Sequence, residues 1–131
     1  LLLMRILLDT FVFVWLTSQP LLLSSRAREV LSDEENEFYY SDASVLELSM
    51  MYSDGMLEMP KTPRQWVNEQ IKTWNVKSLG ITREICYRLA ETPAYHPDVY
   101  DRILVSTVLT EDLYLMTADE EMSKYPISIL W

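Results

Sequence analysis

The chain has 131 residues, 49% of them hydrophobic, with only two glycines and six prolines, which excludes a low-complexity or disordered polypeptide and suits one domain with a real core. Its formal net charge of -9, from 20 acids against 11 lysines and arginines, excludes a broadly basic surface of the kind that grips nucleic-acid phosphates. A single cysteine excludes an internal disulfide and fits a reducing cytoplasm.

Met4–Leu8 reads as a buried parallel strand, because a short apolar run stops at the polar pair Asp9-Thr10. That places Asp9 at the carboxyl edge of the sheet, where ligands bind in open α/β folds. A helix cap needs the same location, so the stretch alone leaves cap and metal ligand open. Leu1–Leu3 read as an extension ahead of Met4. Arg5 and Asp9 interrupt the apolar start, and an acid near mid-span costs about 2.5–3.5 kcal/mol on insertion scales, so no membrane span is expected. No small-residue cleavage site marks a signal peptide either.

Phe11–Thr17 reads as a short buried helix closed by Ser18-Gln19-Pro20. The spacing predicts a second helix over Ser24–Asn36, with Ala27, Val30 and Leu31 inward, then a strand over Glu37–Ser41. The helix Asp42–Gly55 carries the apolar stripe Val45, Leu48, Met51 and Tyr52, with Glu47 one position off it and leaving the core face. Thr62-Pro63 opens a helix with Trp66, Val67, Ile71 and Trp74 at helical spacing. Val76–Leu79 is a weak strand, and Thr82 caps a helix that turns Ile85, Cys86, Leu89 and Ala90 inward, which makes Cys86 a core thiol. Asp98–Asp112 is an apolar helix with Asp98 and Asp101 in its first turn. The strand Leu113–Met116 ends at Thr117-Ala118-Asp119, echoing Asp9-Thr10, and a helical turn at Glu120–Tyr125 precedes the last strand, Ile127–Leu130. Strands alternating with helices imply right-handed crossovers and a parallel sheet covered on both faces.

Four acids fall in equivalent places. Asp9 and Asp119 end strands, while Glu47 and Asp101 lie near helix starts. Any one of them has an ordinary explanation as a cap or a solvated helix residue. All four converge on one edge of a parallel sheet, and converging carboxylates repel unless a cation neutralises them. A hard divalent ion does this, and such a centre suits phosphodiester hydrolysis. Thr10 and Thr117 would orient carboxylates or waters, and Arg102 would hold a phosphate or pair with an acid. His96 is read first as a loop histidine bonding near the helix start, with a general-acid role as the alternative.

These same residues carry a resemblance. Met4–Trp131, through MRILLDTFVFVWL, the segment from Pro20 to Ser49, the segment from Ile81 to Ile127 and the closing ILW, resembles a PIN domain of the VapC type, the toxins of bacterial toxin–antitoxin pairs. The resemblance implies a three-layer α/β/α fold around a parallel sheet of four to five strands. It also implies a cytoplasmic, Mg²⁺- or Mn²⁺-dependent endoribonuclease with catalytic and metal-binding acids at Asp9, Glu47, Asp101 and Asp119, and with Asp98 supporting the centre. A small antitoxin, an RNA substrate and a homodimer follow as expected partners, with no membrane. Several positions depart from the family pattern. Phe11 stands where relatives often carry His, Leu46 where Trp is usual and Val99 where Pro is. Asp42, Met51, Asp54 and Met56 replace small, neutral or basic residues. These losses of positive charge favour an alternative class of function, a PIN-fold interaction module with weak or no catalysis. A metal-dependent DNA nuclease is a third class.

Overall fold

The structure, a computed structural model, describes residues 3–131; Leu1 and Leu2 of the expected extension lie outside them. Five strands, β1 (Arg5–Leu8), β2 (Glu37–Ser41), β3 (Lys77–Leu79), β4 (Tyr114–Met116) and β5 (Ser128–Leu130), form one parallel sheet in the order β3-β2-β1-β4-β5. Six helices cover it: α1 (Thr10–Ser18), α2 (Ser25–Ser32), α3 (Asp42–Ser53), α4 (Pro63–Trp74), α5 (Arg83–Glu91) and α6 (Val99–Glu111). The expected three-layer α/β/α fold is therefore present.

Strand periodicity divides the core in two. Ile6 and Leu8, Tyr40 and Met116 face α1, α2 and α4, where Phe13 stacks on Tyr40 at 5.3 Å and meets Trp66 edge-on at 5.3 Å. Leu7, Tyr39 and Leu115 face the other way, against Ile85, Leu104 and Val108 of α5 and α6. The helix α3 contributes to both layers, Leu48 to the first and Ala43 to the second. Chain order runs outward from β1 to β3 and then crosses to β4, so the strand order reverses between β1 and β4. A crevice at the carboxyl ends of two such strands is where this class of sheet holds ligands.

Three expectations need correction. The helix expected to reach Asn36 ends at Ser32, because Asp33 accepts from Glu35 N–H at 3.0 Å and Asn36 Nδ2 donates to Val30 O at 3.1 Å. Those side chains offer the backbone a turn in place of another helical rung. Cys86 is exposed: α5 packs on α6 through the narrow stripe of Ile85 and Leu89, and a residue one step round from Ile85 leaves it. Within α3 the buried residues are Ala43, Ser44, Glu47 and Leu48, while Tyr52 is 40% exposed. Small residues let α3 approach its neighbours closely, and Glu47 faces inward where the stripe of Val45, Met51 and Tyr52 was expected to.

No helix among the described residues is long and apolar enough to cross a membrane. The turn from α6 into β4 is made by Asp112 at φ 55°, a left-handed conformation with a negative charge placed at a helix C-terminus. Both features oppose stability. Asp112→Gly is expected to raise the unfolding free energy by about 0.5–1 kcal/mol, read as a rise of a few degrees in Tm by thermal denaturation.

Candidate active site

Asp9 follows β1 and caps α1. Its Oδ1 accepts from Val12 N–H at 3.0 Å, and its own N–H donates to Met116 O at 3.0 Å, extending the β1–β4 pairing by one rung. The Thr117 hydroxyl donates to Asp9 Oδ2 and accepts from Asp119 N–H at 3.1 Å. One hydroxyl therefore sets the orientation of an acid from each of the two strands at the reversal point. Thr10 Oγ1 shares a 2.8 Å hydrogen bond with Ser44 Oγ, which joins α1 to α3 one turn ahead of Glu47. Glu47 is only 8% exposed, and its Oε1 is buried without a hydrogen-bond partner.

The loop before α6 brings the remaining groups. Asp98 caps the helix, accepting on Oδ1 from Tyr100 N–H at 2.8 Å and from Asp101 N–H at 3.4 Å. Its own N–H donates to His96 Nδ1 at 3.1 Å, while His96 N–H donates to the Tyr125 hydroxyl at 3.0 Å. An Nδ1 that accepts carries no proton, so the neutral imidazole holds its proton on Nε2. That Nε2–H lies 2.8 Å from Asp119 Oδ2 and 3.4 Å from Asp101 Oδ2. His96, Asp101 and Asp119 thus present ligand-type atoms within 4.8 Å of one another.

Crowding of like charge shows in the proton affinities. Asp101 is pushed from 3.8 to about 7, first by burial, then by Asp98, with Asp9 and Glu47 adding and His96 opposing. Burial also raises Glu47, helped by Asp98 and Asp9 and opposed by Thr10. Asp9 is raised by burial against the pull of Thr117 and the α1 amides, with Asp119 adding. Repulsion therefore links Asp9 to Glu47, Asp101 and Asp119, and Asp98 to Glu47 and Asp101, while among the described residues the group whose ligand-type atoms all lie within 4.8 Å of one another is His96, Asp101 and Asp119, without Asp9 and Glu47. Thr10 and Thr117 stand where a supporting role needs them. Arg102 does not join: it makes no ion pair among the described residues, and its Nε is buried without a partner. Asp42 lies over Gly80 beyond β3, with Oδ2 3.7 Å from where a β-carbon there would stand.

The donor set fits a hard divalent cation. Carboxylate oxygens dominate it, burial has raised the cost of their charge, and Glu47 Oε1 has no proton donor to satisfy it. His96 fits less well as a ligand through Nε2, because that nitrogen carries the proton while Nδ1 is engaged by Asp98 N–H. It serves instead to hold Asp119 and Asp101. Sequence reasoning placed His96 at the helix start, where it does bond, but missed this second contact. The signal was its position two residues before Asp98 and five before Asp101, with the ring turned inward.

A profile of the PIN domain family matches residues 6–127. No curated protein matches the chain in sequence. Among solved structures, a DNA-bound VapBC complex from Salmonella typhimurium superposes with a TM-score of 0.70 at 17% identity over 98% of each chain. VapBC2 from Rickettsia felis, bound to a DNA fragment from its promoter, gives 0.67 at 14% identity over 97% of this chain and 98% of that one. FitAcB from Neisseria gonorrhoeae gives 0.62 at 18% identity over 96% of each. At these identities the structural likeness is one of fold, and it agrees with the sequence profile that spans nearly the whole chain: the protein belongs to the PIN domain family.

Proposed function

We propose that this protein is a VapC-type toxin, a Mg²⁺- or Mn²⁺-dependent endoribonuclease whose catalytic acids are Asp9, Glu47, Asp101 and Asp119. The observation that carries the reading is the repelling acid group at the sheet reversal, buried at Asp9 and Glu47 and half-buried at Asp101 and Asp119, with one Glu47 oxygen lacking any partner. A bound divalent ion would supply charge neutralisation at the scissile phosphate and a more acidic water. Asp9 and Asp101 would be its main holders, with Glu47 and Asp119 as further holders or water positioners. Thr117 keeps Asp9 and Asp119 in register, and the Nε2–H of His96 holds Asp119 Oδ2.

The partners follow from the same reading. A further neighbour of the same fold, from Klebsiella pneumoniae, is a toxin–antitoxin complex, and a small antitoxin would cover the apolar surface of the early helices here. Leu21 is 86% exposed there, beside a groove formed by Leu16, Leu23, Leu31 and Trp74. A homodimer is proposed on the same grounds. The excess of acids favours a second reading, an interaction module without catalysis. Metal response separates the two. Bound ion stabilises the fold by mass action, so millimolar Mn²⁺ raises Tm for the nuclease and leaves it unmoved for the module.

Asp9→Asn is expected to lower Mn²⁺-dependent cleavage of RNA by more than about a hundredfold, beyond the loss that removing a supporting hydrogen bond causes, while circular dichroism shows the fold intact. Full activity in that variant removes the acid centre from the mechanism. Comparing RNA with DNA of the same sequence tests the substrate.

The proton affinities set a stability profile. Folded Asp101 keeps its proton to about pH 7, whereas the unfolded chain releases it near 3.8. Across that window the folded state binds more protons, so stability falls as pH rises. Glu47 and Asp9 act in the same direction. Melts in EDTA are expected to show Tm declining between about pH 4 and pH 7, with a shallower decline in Asp101→Asn. An equal slope in the two proteins would contradict the assignment of the strain to Asp101.

A further inference from the structure

Trp131 follows β5, so it stands at the same carboxyl edge of the sheet as Asp9 and Thr117. Its ring lies 6.2 Å from that of Trp15, which lies 6.4 Å from Phe11 one helical turn nearer Asp9. The three rings form an aromatic stripe along α1, and Phe11 at its upper end is 43% exposed. On its other side Trp131 walls a groove of about 480 Å³ with Ile129, Thr117, Asp119, Glu120 and Ser123. Thr117 and Asp119 belong to the acid group as well, so the groove opens directly from it.

The groove is the wrong place for a phosphate. Asp119 and Glu120 both carry negative charge, and no lysine or arginine lines it. An uncharged planar group suits it better. An aromatic wall offers stacking to any nucleobase, independently of the sugar. The Glu120 carboxylate, exposed and free of side-chain hydrogen bonds among the described residues, can accept from an exocyclic amine, as acids do from the N4 amine of cytosine. Its volume lies within the roughly 300–1,000 Å³ of small-molecule sites.

We infer that the groove between Trp131 and Glu120 is a nucleobase subsite, which takes an unpaired, amine-bearing base of a single-stranded RNA next to the phosphate at the acids. The inference rests on the nuclease reading for its choice of strand. It also addresses how so acidic a chain holds a polyanion: stacking supplies affinity that basic side chains do not.

The test measures binding apart from cleavage. The full chain carrying Asp9→Asn is titrated, in Mn²⁺, into a fluorescein-labelled oligocytidine pentamer, an oligouridine pentamer and an abasic pentamer, and anisotropy is followed. The expected order of affinity is cytidine, uridine, abasic. Trp131→Leu, which keeps apolar volume against Trp15, is expected to weaken the cytidine strand about tenfold and the abasic strand not at all. Glu120→Gln, at an exposed position that does not threaten folding, is expected to remove the cytidine preference over uridine. Equal binding of base-bearing and abasic strands, no detectable binding of any strand, or a Trp131→Leu loss shared by the abasic strand overturns the subsite. Wild-type cleavage of the cytidine strand is scored in parallel. Base-dependent binding without cleavage defeats the nuclease reading and leaves the subsite standing. Cleavage with KM unchanged by Trp131→Leu defeats the subsite and leaves the nuclease.

Discussion

The hydroxyl of Thr117 joins the two halves of the sheet at the point where the site is made. It donates to Asp9, 108 residues earlier in the chain, and accepts from the amide of Asp119 two residues later. Since β1 and β4 are neighbours only because the strand order reverses, this contact forms only once the sheet does. Side chains on β1, α3 and the loop before α6 are then brought round a common point by packing rather than by local sequence. A residue without that hydroxyl would leave Asp9 Oδ2 buried and without its donor, a desolvated acceptor next to other charges.

The two edges of the sheet treat charge in opposite ways. At the amino edge Glu37 lies between Arg5 and Lys77, at 4.0 and 3.5 Å, and both cations sit over the Tyr39 ring. At the carboxyl edge the acids have no arginine or lysine partner among the described residues. What makes their charge tolerable there is the backbone. Asp9 caps α1, Asp98 caps α6 and Asp119 caps the short turn at Glu120–Lys124, and α3 begins at the same edge under a Ser41 cap. Amide donors and the positive ends of helices therefore surround the group and favour negative charge. Cap and ligand were competing explanations of Asp9, and capping leaves its oxygens able to do both. Asp9 caps with one oxygen while Thr117 holds the other, and each oxygen keeps a further lone pair.

Most of the fold was legible because it follows short-range rules. Alternation in Ile6-Leu7-Leu8, the apolar run ending at Asp9 and the Thr62-Pro63 opening of α4 each announce their element from a few neighbouring residues. What was not legible depends on partners distant in the chain. Whether Glu47 faces in or out depends on α1 and α6 closing over α3, and the helical stripe alone favoured Met51 and Tyr52. Cys86 misled for the same reason, since helical spacing gives a wide apolar face and α6 covers only part of it. His96 lies in an irregular loop where periodicity carries no information; its backbone N–H is held by the Tyr125 hydroxyl and its ring by the Asp98 amide.

The chemistry of the edge is a compromise between two demands on one surface. Acids close enough to share a cation destabilise the empty fold, and a chain of net charge -9 adds a diffuse repulsion toward any polyanion. Basic residues among the acids would relieve both, but they would also occupy the carboxylates by pairing with them. The chain instead leaves these acids without a lysine or arginine partner among the described residues and lines the approach with rings, Phe11 beside Asp9 and Trp131 beside Asp119. Aromatic faces bind without charge, so they leave the acids unpaired. On the proposed nuclease function, an edge with acids at its centre and rings at its border would hold a strand by its bases and keep its one strongly charged contact for the atom where reaction would occur.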